Sequence, residues 1–180
     1  SNLPMADIIV HSGDFCELGT IEEVEDFAEW FASLPHKHKI FVAGNHDDCL
    51  HGAAIEGLPD GVHYLCCSGI EIDGVNFYGL PMFVADELNG DYEKAISRIP
   101  SDTDVLITHQ PSYGILDFTE GVHYGNVSLL SRVLCIKPRL HLFGHVHKAN
   151  GKLEAHDTLY VNGSLVSGMK IAYTPQLIHL

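Results

Sequence analysis

The sequence has no long hydrophobic run and little positive charge. None of its apolar stretches approaches the ~18–20 residues that a membrane-spanning helix needs. Only 10 Lys and Arg stand against 24 Asp and Glu, which gives a formal net charge of −14. Binding to a nucleic-acid backbone depends on clustered Lys and Arg. We therefore expect neither a nucleic acid nor a membrane as the partner.

The cysteines are too few and too irregularly spaced for a disulfide framework or a zinc ribbon. There are five, an odd number, and none forms a C-x-x-C pair: Cys16, Cys49, Cys66, Cys67 and Cys135. The first four residues carry neither the basic segment nor the hydrophobic stretch of a secretion signal. We therefore expect reduced thiols and a cytoplasmic location.

The composition is that of an ordinary globular domain, with 46% hydrophobic and 19% charged residues in a chain of 180. No repeat, linker or low-complexity tract divides it, so we predict a single domain over 1–180. Thr20-Ile-Glu-Glu23 is a capping box that predicts a helix to about Leu34. Residues 69–79 alternate around Asp73-Gly74 and predict a β-hairpin. Further helices are expected at 91–99 and 126–136, and a loop at 49–68.

Four apolar strands each end in polar side chains of the kind that bind metals. The candidates are Asp14 after "DIIVHSG", Asn45 and His46 after "KIFVAG", His109 after "DVLIT", and His145 and His147 after "LHLFG". Open α/β sheets place their ligand sites at the carboxyl ends of strands. Taken alone, a Gly-Asp is usually a turn and a strand-terminal histidine is usually structural. Their recurrence after four strands predicts a metal site.

The types of side chain narrow the metal and the chemistry. A carboxylate, an amide oxygen and neutral imidazoles together suit Mn, Fe, Zn or Ni, whereas an all-oxygen set would suit Mg or Ca. Two metals about 3.5–4 Å apart are a standard arrangement for hydrolysing phosphate esters, with activated water as the nucleophile. An acidic protein that acts on a phosphate can obtain the necessary positive charge from such ions.

The motifs "SGDF", "GNHD", "THQP" and "FGHVH" resemble the successive motifs of the calcineurin-like metallophosphoesterase superfamily. The stretch over 13–47 is similar to one branch, the metallophosphoesterase-domain proteins described as brain- or foetal-type phosphodiesterases. This resemblance implies an α/β fold, a two-sheet β-sandwich flanked by helices. It also implies a metal-dependent phosphodiesterase that acts on a cyclic nucleotide or a similar small phosphodiester, with Mn²⁺ as the favoured ion.

By position in the family pattern, Asp14 would bridge two metals and His147 would belong to the first of them. The ligands that would complete the second metal site are Asn45, His109 and His145. The resemblance assigns His46 to catalysis without a metal bond, assisting the leaving-group oxygen or stabilising the transition state.

Weaker assignments concern Asp47, Asp48 and His123, together with a second role for Asn45. Asp47 or Asp48 would orient His46 through a hydrogen bond, or would be a solvated turn acid. Asn45 and His123 are candidate substrate contacts, although a loop histidine such as His123 is more often structural.

The sequence departs from the family pattern at its beginning. The family's first strand is followed by Asp-x-His, and no histidine of this chain has an aspartate two positions before it. Residues 6–10 correspond to the second strand, so we expect a chain truncated at its N-terminus or a member without the first strand. The family site holds two metals, and we predict one well-held metal here and impaired activity. The competing interpretation is a catalytically weak scaffold that binds a metal or a nucleotide.

Overall fold

The protein is described by a computed structural model over residues 3–168 and 170–180. The helices are α1 (Ile21–Ala32), α2 (Val84–Asn89), α3 (Asp91–Ser97) and α4 (Val127–Ile136). The strands are β1 (Ile8–His11), β2 (His38–Phe41), β3 (Val62–Tyr64), β4 (Ser68–Ile72), β5 (Val75–Leu80), β6 (Val105–Thr108), β7 (Phe118–Thr119), β8 (Val122–His123), β9 (Leu140–Phe143), β10 (Gly151–Ala155), β11 (Thr158–Asn162), β12 (Val166–Ser167) and β13 (Lys170–Ile171). Within the described ranges, no helix is long and apolar enough to cross a bilayer.

Two main sheets organise the fold. The first is parallel with the order β1-β2-β3, and the second has the order β10-β11-β9-β6-β5-β4. In the second sheet the four central strands are parallel, and the antiparallel strands β10 and β4 lie at its edges. Two short pairs, β7–β8 and β12–β13, lie outside these sheets. The expected α/β fold with two sheets and flanking helices is confirmed.

The alternation of side chains along the central strands builds a layered core. Ile40 of β2 and Val105 of β6 are buried in the cluster between the two sheets. Phe41 faces the other way and packs with Phe31 of α1. Leu106 likewise faces away from the inter-sheet cluster, into one that includes residues of α3 and α4. The two sheets are thus sandwiched between helices, with both faces of the central strands buried.

The strongest local sequence signals match the structure. Thr20 caps α1 and accepts the Glu23 N–H, while the Glu23 side chain accepts the Thr20 N–H. At the β4–β5 hairpin, Asp73 and Gly74 have φ of 50° and 80°, as a two-residue hairpin turn of the I′ type requires.

Several short elements differ from the sequence-based expectation, among them β3, α2 and the β7–β8 pair. Strand β3 lies inside the stretch predicted to be a loop, and α2 was not predicted. Strand β3 has only three residues, which is too short for an alternation to be recognised, and it forms by pairing with β2. Helix α2 has six residues, none fully buried and no side-chain cap at its N-terminus, so it carries little helical periodicity.

A groove runs along the edge of β1, which among the described residues pairs only with β2. The groove encloses about 930 Å³, and its lining includes apolar side chains from both sheets, such as Val10 and Leu142. At the carboxyl ends of the strands it reaches Asp14 and His147. The interior of the sandwich is therefore open beside the predicted metal residues.

Acid should destabilise the fold through His141 of β9, which is fully buried. Its Nε2 lies 2.9 Å from the Thr108 hydroxyl, and burial lowers its pKa to about 3. Below the unfolded-state pKa of ~6.5, the unfolded chain therefore binds a proton that the folded chain does not. Neutral His141 therefore makes its full contribution to the free energy of unfolding above that pH. Below it, the contribution falls by about 1.4 kcal/mol for each pH unit.

We expect His141→Gln to reduce the slope of unfolding free energy against pH by that amount. Urea unfolding from about pH 7 to about pH 5 measures it. His179→Gln, at an exposed histidine, is the control and should leave the slope unchanged. Parallel curves for the wild type and His141→Gln would contradict the assignment.

Candidate metal centre

Two glycines allow the ends of β1 and β2 to approach each other beneath the site. A Cβ on Gly13 would lie 2.6 Å from the Gly44 nitrogen and 2.7 Å from Nδ1 of His109. A Cβ on Gly44 would lie 2.3 Å from Oδ1 of Asp14. Gly13 also has φ of 96°, which a residue with a side chain rarely adopts. Glycine is therefore needed at both positions for the side chains above them to converge.

The buried carboxylate of Asp47 ties these two strand ends together. Its oxygens accept backbone N–H bonds from Asp14 (2.8 Å), Phe15 (3.1 Å), Cys16 (2.9 Å) and Gly44 (2.8 Å). Asp47 is completely inaccessible to solvent. Burial raises its pKa, although the backbone N–H bonds oppose that shift. Asp47 thus fixes the backbone on either side of the predicted ligands.

The side chains predicted from four different strands converge on Nε2 of His109. Oδ1 of Asn45 is 3.0 Å from this atom, Oδ2 of Asp14 is 3.1 Å from it, and Nδ1 of His145 is 3.2 Å from it. Asp14, His109 and His145 each offer one possible ligand atom, and these three atoms lie within 4.8 Å of one another. The carboxyl ends of β1, β2, β6 and β9 therefore meet at one point.

The tautomer of His109 indicates that a cation belongs at this point. Its Nδ1 lies 2.8 Å from the carbonyl oxygen of Ser12, which can only accept a hydrogen bond. We therefore assign the ring proton to Nδ1, which leaves a lone pair on Nε2. A carboxylate oxygen, an amide oxygen and imidazole nitrogens then face one another without a shared proton. Such a set fits a divalent transition metal.

The protonation states of the cluster depend on a positive charge beside Asp14. Burial raises the pKa of Asp14, and the hydrogen bond and charge of a protonated His109 would lower it to about 2; with His109 neutral, a bound cation would supply that charge. Burial and the neighbouring His109 lower the pKa of His145 to about 4. At neutral pH the carboxylate is therefore ionised and the imidazole keeps its lone pair.

Two of the predicted ligands have unusual backbone conformations. Asp14 and His145 have φ of 60° and 66°, in the left-handed backbone region that residues other than glycine seldom adopt. Such conformations cost about 1–3 kcal/mol and persist only where the surrounding structure holds them. They turn both side chains toward His109.

The other predicted site residues lie around this cluster. The backbone N–H of His46 donates to Oδ1 of Asp14 (2.9 Å), and its ring Nδ1 lies 3.3 Å from the Glu17 carbonyl oxygen. Its exposed ring can therefore present Nε2 to solvent. His147 is in a 3₁₀ turn, His147–Ala149, and faces both the β1 groove and a second cleft. His123 pairs through Nδ1 with Asp117 at 2.8 Å.

One of the two alternatives for Asp47 and Asp48 is wrong. Neither forms a hydrogen bond with the His46 ring: Asp47 accepts four backbone N–H bonds, and Asp48 is exposed, as the alternative of a solvated turn acid predicts. The supporting role of Asp47 was not predicted from the sequence. An acid two residues after a strand-terminal glycine-asparagine pair resembles a turn residue, and only the tertiary structure shows what it contacts.

Comparison with known proteins identifies the group to which this arrangement belongs. Residues 2–149 match the family model described as "Calcineurin-like phosphoesterase". The chain belongs to the calcineurin-like phosphoesterase family. It is 34% identical over 188 residues to the UPF0046 protein K07C11.7 of Caenorhabditis elegans, covering 90% of this chain. It is 33% identical over 198 residues to the human Metallophosphoesterase domain-containing protein 1, covering 91% of this chain.

These relatives extend beyond the matched region, and the alignments cover 63% and 61% of their own lengths. A solved structure aligns with a TM-score of 0.63 over 88% of this chain and 79% of its own, at 15% identity. That likeness supports the fold alone. Membership of the family implies divalent metal binding, and the cluster around His109 is a candidate site for the ion.

Removing the Asp47 carboxylate should loosen both strand ends. We expect Asp47→Ala to lower the free energy of unfolding by more than about 2 kcal/mol, because it leaves buried N–H groups without an acceptor. Asp47→Asn keeps one oxygen and should lose less. Chemical denaturation measures both. Asp48→Ala, at the exposed neighbouring acid, should stay within about 0.5 kcal/mol of the wild type, and an equal loss there would contradict the assignment.

Proposed function

We propose that this protein is a metal-dependent phosphodiesterase acting on a small phosphodiester, a cyclic nucleotide or a similar compound. The observation that carries the proposal is the convergence of Asp14, Asn45 and His145 on Nε2 of His109 within 3.0–3.2 Å. Membership of the phosphoesterase family supports the hydrolytic chemistry. The preference for diesters rests on the resemblance of residues 13–47 to the brain- or foetal-type phosphodiesterases.

Each residue has a distinct part in the proposed reaction. Asp14, Asn45, His109 and His145 would hold the metal ion. When bound, that ion would lower the pKa of a water molecule and withdraw charge from the phosphate. The exposed imidazole of His46, next to Asn45, would donate a proton to the leaving oxygen or stabilise the negative charge on it. That Asn45 and His123 contact the substrate remains a prediction.

A second ion position is proposed beside Asp14, at the end of the β1 groove. Asp14 and His147 both line this groove, and the sequence offers no Asp-x-His motif to complete the ligand set. Two ligands hold an ion less firmly than four. We therefore propose one firmly held ion, preferably Mn²⁺, a weaker second position, and hydrolysis slower than a complete two-metal site would allow.

The proposed substrate is small because the charge of the chain does not favour a polymer. A net charge of −14 repels a nucleic-acid backbone, whereas a single phosphate can be neutralised by the bound metal. A cytoplasmic location likewise stays a prediction.

Loss of a metal ligand should abolish turnover. We expect Mn²⁺ to stimulate hydrolysis of bis(p-nitrophenyl) phosphate. Asn45→Ala or His109→Ala should lower the rate by roughly 100-fold or more, since removing even the hydrogen-bond partner of a ligand costs roughly 10–100-fold. His156→Asn, at an exposed histidine whose φ of 54° suits asparagine, is the control. Undiminished turnover by either ligand variant would refute the site.

Metal stoichiometry separates the enzyme from the competing interpretation. Because four side chains surround one position, we expect one Mn²⁺ per chain to survive gel filtration, and His145→Ala to lose it. Elemental analysis measures both. One retained ion with measurable turnover supports an impaired enzyme, and two tightly held ions would contradict the weak second position. One ion with a bound nucleotide and no turnover would instead favour a scaffold. The absence of an Asp-x-His motif from this chain supports that interpretation.

A further inference from the structure

A cleft of about 260 Å³ opens directly beside the metal centre, on the side of His145 and His147. One wall is the segment His145–Lys148, which includes both of these predicted ligands. The opposite wall is the β7–β8 hairpin, through Thr119, Glu120 and Tyr124. The proposed catalysis does not use Lys148, and its one residue from this hairpin is the predicted substrate contact His123, which does not line the cleft.

Both walls are held in place by hydrogen bonds to two buried side chains, Asn162 and Asp117. The fully buried side chain of Asn162 donates to the carbonyls of Leu116 (3.1 Å), in the loop before the hairpin, and of Val146 (2.9 Å), in the opposite wall. Asp117 accepts the N–H groups of Gly114 (2.9 Å) and Gly125 (3.1 Å) and closes the hairpin loop on itself. The cleft is therefore a preformed part of the fold.

An aromatic ring and the metal centre meet at the inner end of the cleft. The rings of Tyr124 and His145 lie edge to face, with centroids 6.3 Å apart. The Tyr124 carbonyl accepts a hydrogen bond of 3.1 Å from Gln110, which follows the ligand His109. Tyr124 is 42% exposed, so part of its ring is free to contact a bound molecule. A group attached to a metal-held phosphate would lie within reach of this ring.

The charges of the cleft indicate what kind of group it accepts. Lys148 is a cation next to the ligand His147, and its Nζ lies 2.6 Å from Oε1 of Glu120 on the hairpin. Because Glu120 neutralises Lys148, the cleft offers no free positive charge for a second phosphate or a carboxylate. Beside this pair and the two histidines, its lining includes the Tyr124 ring, the polar Thr119 side chain, Val146 and Gly168. Such a surface suits an uncharged planar ring with hydrogen-bonding edges.

We propose that the cleft between the β7–β8 hairpin and His145–Lys148 binds the organic group of the substrate, an uncharged aromatic ring such as an aryl group or a nucleobase, against Tyr124. This inference rests on the proposed function, because the metal centre must hold the phosphate for the cleft to hold the group attached to it. Tyr124 and the Glu120–Lys148 pair are then specificity determinants.

Binding of a matched pair of phosphonates tests the proposal without turnover, since their C–P bonds resist hydrolysis. With Mn²⁺ present, calorimetry should show phenylphosphonate binding roughly 10-fold more tightly than methylphosphonate, a typical effect of stacking on one aromatic ring. Tyr124→Ala should remove this difference, and Tyr124→Phe should keep it. Tyr113→Ala is the matched control, because Tyr113 belongs to the same loop and is 41% exposed but does not line the cleft.

A charged ligand tests the role of the ion pair. Glu120→Gln frees Lys148, so we expect 3-phosphonopropionate to bind roughly two- to fivefold more tightly to this variant, in the range of an exposed ion pair. Methylphosphonate binding should not change. An unchanged affinity for 3-phosphonopropionate would overturn the charge assignment.

The outcomes distinguish this proposal from the proposed function. If methylphosphonate does not bind in the presence of Mn²⁺, the metal-dependent function fails and the cleft assignment fails with it. If methylphosphonate binds but phenylphosphonate binds no better, or if Tyr113→Ala removes the preference instead of Tyr124→Ala, the cleft assignment alone is refuted.

Discussion

The carboxylate of Asp47 is the contact on which the site depends most. A single buried side chain accepts four backbone N–H bonds, three from the segment that follows β1 and one from the turn that follows β2. Without it, Asp14 and Asn45 would sit on two independent loops. With it, both loops are parts of one rigid unit, above which Gly13 and Gly44 leave just enough room for His109. The candidate metal centre is thus supported by a side chain that is not itself a predicted ligand.

The same principle extends outward from the metal centre. The Ser12 carbonyl orients His109, and Asn162 joins the segment carrying His145 to the loop that begins the hairpin. Backbone groups and buried polar side chains therefore position the ligands, while the ligand side chains themselves are left free to bind. Preorganisation of this kind lowers the cost of ordering the site when a metal or a substrate binds.

The predictions made from the sequence succeeded where a signal was local. The capping box at Thr20 and the turn at Asp73-Gly74 each contain all the residues that determine them, and both match the structure. Strand β3 and helix α2 were missed because β3 forms through pairing with a distant strand and α2 contains no fully buried residue. The four candidate ligands that converge were recognised for a different reason. Each follows an apolar strand, and the carboxyl ends of neighbouring parallel strands lie together within each sheet, β2 beside β1 and β9 beside β6.

The sequence alone determined the kind of site: its side-chain types, their order along the chain and the family to which they point. Only the tertiary structure decided which atoms meet. It brought Asn45 within 3.0 Å of His109, placed Asp47 beneath the loops rather than beside His46, and set Tyr124 and Lys148 around a cleft next to His145. The physical reason is that these contacts join residues far apart in the chain. Their geometry depends on how two sheets pack, which no local pattern of residues encodes.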